Sequence, residues 1–137
     1  MGKKLWGGRF SKKTDPLVEE FTKSIQYDYK LALYDVLGSI KHVRILHKAG
    51  YLTLSESNRL KAALQKIYHL IQKGGLKPDN ASEDIHTQIQ NMVQRKVGGL
   101  SQKLQTARSR NDQVAYATKM YSLEKISQVK GDIQSCK

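Results

Sequence analysis

The stretch KLALYDVLGSIKHVRILHKAGYLTLSESNRLKAALQKIYHLIQKGG, residues 30–75, decides the fold. In its first half Leu33, Val36, Leu37, Ile40 and Val43 recur at the three- and four-residue intervals of a helix with one apolar side. Gly50 stands where such a helix ends in a left-handed cap. Thr53, followed three residues later by Glu56, makes a capping box and opens a second helix. The apolar face of that helix is Leu60, Leu64, Ile67 and Ile71, and Gly74, Gly75 and Pro78 stop it. Two apolar stripes joined by a short turn predict a helical hairpin.

Working outward, Asp15 before Pro16 reads as an N-cap with proline at the first helical position, and Leu17, Phe21 and Ile25 line one face of the helix it opens. Downstream, Asn80 or Ser82 caps a helix carrying Ile85, Ile89, Met92 and Val93, which ends near Gly98 and Gly99. Residues 100–108, LSQKLQTAR, have no period and read as a loop. Helical spacing resumes through Val114, Ala117, Met120 and Leu123, interrupted only by Gly131, with no stop signal before Lys137. No stretch alternates like a strand. The expected architecture is all-α: an extended arm at 1–14, a helical domain at 15–108 and the start of a truncated long helix at 109–137. Trp6 and Phe10 are expected to pack back from the arm onto a helix or a neighbouring subunit.

Composition narrows the function classes. The 137 residues carry 24 Lys plus Arg against 12 Asp plus Glu, a net charge of +12, and one cysteine. A single Cys136 permits no internal disulfide, zinc ribbon or CxxC redox motif, which fits a reducing cytoplasm better than a secreted scaffold. The start MGKKLWGGRF has no apolar run behind it, so neither a signal peptide nor a membrane span is read. The basic excess is spread evenly, without a tail or block. His42, His47, His69 and His86 form no HxxxH or HExxH pair, giving a zinc site little support.

Two segments are chemically dense. In SEDIHT, residues 82–87, Glu83 and Asp84 read as acidic residues in the first turn of a helix, where they favour its positive end. His86 is either a site residue oriented by Asp84 or a partly buried helix histidine. In TARSRNDQ, residues 106–113, two arginines, a serine, an asparagine and a glutamine meet a helix start, an inventory suited to carboxylates or phosphates. The plainer reading makes Ser109, Asn111 or Asp112 an N-cap and leaves the arginines solvated.

LWGGRF (5–10), FTKSIQYD (21–28), YDVLGSIKH (34–42), EDIHT (83–87) and KLQTARSRNDQV (103–114) together resemble the N-terminal region of argininosuccinate lyase, in that family's order and spacing. The wider superfamily includes fumarase, aspartase, adenylosuccinate lyase and the delta-crystallins. The resemblance implies the N-terminal helical domain of that fold and a β-elimination that splits argininosuccinate into arginine and fumarate, with no cofactor and no metal. It places Ser24 and Asn111 on substrate-binding positions. It gives Arg110, with Ser109, Arg108 and Gln113, to the substrate carboxylates, and sets Asp84 and His86 at the border of the site in an orienting role. It further implies a cytoplasmic homotetramer whose sites are shared between chains.

Two departures accompany the resemblance. Gln105 stands where the family usually has histidine, and Gln cannot carry the imidazole's proton. The family's chains are also several-fold longer, and the segments that supply its general acid and base have no counterpart within residues 1–137, so the 137-residue chain is expected to be inactive alone. A different class of function, a small basic helical module that binds nucleic acid, draws on the +12 charge and the Arg108–Ser109–Arg110 cluster. It lacks aromatics interleaved with a basic stripe.

Overall fold

The computed structural model describes residues 14–136. Its helices are α1 (Pro16–Thr22), α2 (Ile25–Asp28), α3 (Ala32–Lys48), α4 (Leu54–Gln72), α5 (Ile85–Val97) and α6 (Arg110–Ser135). Short 3-10 segments occupy Tyr29–Leu31 and Gly98–Gln105. No strand occurs among the described residues. Trp6 and Phe10 lie outside them.

The α3–α4 hairpin forms as the stripes predict. Gly50, at φ +80°, lets the chain leave α3 at an angle that a side chain would strain. Both arms of the Thr53–Glu56 capping box are present, and Lys103 reaches Glu56 at 2.6 Å, a contact that together with the Thr53 amide holds its carboxyl below the usual range. The core is one cluster. Val36, Val43 and Leu46 of α3 meet Leu60, Leu64 and Ile67 of α4, and Ile85, Ile89 and Val93 of α5 close it.

Three local expectations need correction. Leu17, Phe21 and Ile25 do not share a helix face: Leu17 is 81% and Phe21 90% exposed, whereas Ile25 is fully buried. The chain turns extended at Lys23, and the Ser24 and Ile25 amides donate to the Glu83 carbonyl at 2.9 and 3.2 Å instead of to the preceding turn. A tertiary acceptor has replaced the helical one. Second, α5 is capped by Asp84, whose Oδ1 accepts from the Thr87 amide at 2.6 Å, not by Asn80 or Ser82. Asn80 instead accepts from Gln26. Third, residues 98–105 are a 3-10 segment that buries Ser101 and Leu104 against the core, starting from Gly98 at φ +63°.

The final helix splits into two regimes. Its first three turns lie across α3, with Ala117 buried, Tyr121 edge-on to Tyr34 at 5.9 Å between ring centres, and Tyr116 over Gly38. From Ser122 onward every described residue of α6 is exposed. Gly131 does not break the helix.

Candidate anion-binding site at the start of α6

Ser109 caps α6 by accepting from the Asn111 amide at 3.2 Å, and Asp112 closes the box on the Ser109 amide at 3.0 Å. Just before this cap the chain passes through Ala107 at φ +52°, a left-handed conformation that costs a non-glycine residue on the order of 1 kcal/mol. That kink lies between Thr106, whose carbonyl meets His42 Nε2 at 3.0 Å, and Arg108.

The centre of the arrangement is a residue that periodicity passes over. Asp35 of α3 is 1% exposed, and its Oδ1 collects three side chains from two other segments. Gln113 Nε2 donates to it at 3.1 Å, Arg108 Nη2 lies at 3.5 Å, and His86 Nδ1 lies at 3.0 Å without hydrogen-bond alignment. Arg108 Nη1 also donates to Ser39 Oγ at 2.9 Å, one turn along α3 from Asp35. Burial pulls the Arg108 guanidinium down from its ordinary value and Asp35 opposes this, so the arginine remains a buried cation beside a buried anion. The signal in the sequence is slight: Asp35 and Ser39, four residues apart, interrupt an apolar stripe on one helix side.

A second layer lies nearer the surface. Arg110 directs Nε at Asp84 Oδ2, 3.3 Å away, Nη2 to Thr87 Oγ1 at 3.2 Å and Nη1 to Gln113 Oε1 at 3.2 Å. Asp84 thus caps α5 and fixes Arg110, and the carboxylate beside His86 is Asp35. Ser24 reaches the same place by another route. Its Oγ donates to Asp28 Oδ2 at 2.6 Å, while Asp28 Oδ1 accepts from the Ile85 amide at 3.1 Å. Ser24 and Asp84 are therefore tied to the same short segment, Glu83–Ile85. Asn111 and Ser109 stand exposed at the helix start. Gln105, in the place of the expected histidine, donates to Gln90 Oε1 at 3.0 Å.

Chemically, Arg110 is a guanidinium oriented on three sides with N–H groups left over, at a helix N-terminus and beside small hydroxyl and amide donors. Such a corner suits a carboxylate. No group of three or more His, Cys, Asp or Glu placed to hold a metal ion occurs among the described residues. No helix among them is long and apolar enough to cross a membrane. Two open surface grooves, of about 230 Å³ beside Gln88 and Arg95 and about 290 Å³ between Arg59 and Lys96, are lined by no residue of α6.

A family model described as Lyase matches residues 8–135. The argininosuccinate lyase of Pelotomaculum thermopropionicum is 45% identical over 128 residues, which is 93% of this chain and 28% of that protein. Those of Geobacter metallireducens and Caldanaerobacter subterraneus subsp. tengcongensis are 45% and 42% identical over 126 and 130 residues. The chain thus spans under a third of the length of these relatives, 28% and 29% of the latter two.

Proposed function

The chain belongs to this lyase family, and from that premise we propose that it forms part of an argininosuccinate lyase and binds the dicarboxylate end of argininosuccinate. In the proposed reaction a proton leaves the carbon beside a carboxylate and the carbon–nitrogen bond breaks, giving arginine and fumarate. Negative charge gathers on that carboxylate as the proton departs, and prearranged donors stabilise it.

The observation that carries the reading is the Arg110 fork, fixed by Asp84, Thr87 and Gln113 beside exposed Asn111. In this reading Arg110, Asn111, Ser109 and Ser24 touch substrate, Arg108 and Gln113 support them from beneath, and Asp84 and His86 border the site. Residues 15–108 form the helical domain with the loop that leads into the site, and 109–137 begin the long helix of a bundle shared in a cytoplasmic homotetramer. The groups that move the proton are assigned to the part of such an enzyme beyond these residues. A nucleic-acid reading gains nothing from the geometry, because Arg108 and Arg110 face Asp35 and Asp84.

Succinate titrated into the 137-residue chain, followed by backbone amide shifts, tests the proposal. An open half-site keeps a fraction of each charge-assisted contact, so a dissociation constant on the order of millimolar is expected. Shifts should centre on residues 106–113 and disappear in Arg110→Ala and Asn111→Ala. Shifts centred elsewhere, or unchanged in both variants, overturn the site.

A further inference from the structure

We infer that Asp35 is a positioning residue that acts through Gln113 to set the direction of the Arg110 fork. The inference deepens the proposed function, since it rests on Arg110 as the group that meets a carboxylate.

The reasoning starts from what each group can donate. An ionised carboxylate only accepts and a guanidinium only donates, whereas a glutamine amide has one end of each kind. Gln113 lies between Asp35 and Arg110, 4% exposed and with no freedom to turn toward water. With the Asp35 carboxylate on one side, its Nε2 must face inward, and it does so at 3.1 Å. Its Oε1 is then obliged to face Arg110, which it meets at 3.2 Å. The amide orientation follows from the chemistry of its two neighbours.

Asp35 is itself held in one pose. Arg108 and His86 press on the oxygen that receives Gln113, while the other oxygen is buried without a hydrogen-bond partner. The charge of a helix lying under the site is therefore directed along one line, from Asp35 through Gln113 to Arg110. A purely structural ion pair with Arg108 would leave Arg110 independent of Asp35. The relay makes it dependent.

The test is read on the uncomplexed chain and again with succinate. The ¹⁵N Nε–H signal of Arg110 reports whether the fork is held. In Gln113→Met, which leaves the Asp35–Arg108 pair in place, that signal should lose its rigid-limit relaxation, and succinate binding should weaken about fivefold, the order for a contact loosened rather than lost. Asp35→Leu should do the same, because Gln113 then has no acceptor to hold its amide, whereas Asp35→Asn, whose oxygen stays on Arg108 and Gln113, should keep the fork rigid. If Asp35→Leu does not fold, Gln113→Met and Asp35→Asn decide. An Arg110 signal as rigid in Gln113→Met as in the parent overturns the relay, as does a loosened fork in a folded Asp35→Asn. Failure of the parent to bind succinate would instead remove the anion reading, while the ligand-free Arg110 signal still decides the relay.

Discussion

At the scale of single residues, His42 shows how packing sets chemistry. Burial lowers its pKa below the ordinary histidine value, the Thr106 carbonyl opposes that shift, and the Arg108 charge adds to it. The neutral ring suffices for the contact, since its Nε2 donates to Thr106 as an N–H. The unfolded chain therefore takes up a proton near pH 6.5 that the folded chain still refuses, and stability falls as pH drops from that value through the folded one. Thermal midpoints at pH 7.5 and 5.5 should differ more for the parent than for His42→Gln, in which this proton is absent; equal differences would contradict the assignment. Asp35 is illegible in the sequence for a related reason. A carboxylate in a helix reads as solvated, and only the fold brings Arg108, His86 and Gln113 to it from two distant segments. Ser109, Arg110 and Asn111 are legible because helix-start chemistry is local.

Among elements, caps and stop signals other than the cap of α5 carry over from sequence to structure. Thr53 with Glu56, Gly50 and the Asp15–Pro16 start all act within a few residues of themselves. The break between α1 and α2 does not carry over, because the Glu83 carbonyl that captures Ser24 and Ile25 is distant in sequence. The contact of α3 with α6 has the same character. A methyl group on Gly38 would stand 2.8 Å from the Tyr116 ring, which Lys41 also covers at 5.3 Å from its centre. Alanine gains about 1 kcal/mol of helix propensity over glycine, but overpacking costs roughly 1–3 kcal/mol. Gly38→Ala should therefore destabilise the chain in denaturant melts by about 1 kcal/mol. In a Tyr116→Ala background, where the obstruction is gone, the same change should stabilise; destabilisation in both backgrounds would show that the ring is not the cause.

For the whole molecule, the governing feature is the distal half of α6. Gln113 and Ala117 face the core, and at about 100° per residue Ile126, Val129 and Ile133 fall on a stripe roughly opposite them, with Leu123 at its edge. All four are at least half exposed. No rotation of α6 can bury both sides against α3, so the chain's own described elements leave this stripe uncovered. An unpacked segment of that length, about four turns, is marginal as a helix in water. A second copy presenting the same stripe would cover it and hold the helix, in keeping with the shared bundle proposed for this family member. Light scattering should therefore give a mass above the 15.6 kDa of one chain. Ile126→Asp with Ile133→Asp places charges in that stripe without touching the core, and should return the mass to one chain. Hydrogen exchange should then lose protection from Ser122 to Ser135 while α3 to α5 keep theirs. A parent that stays monomeric with a protected distal α6 would mean that the stripe needs no partner to remain helical.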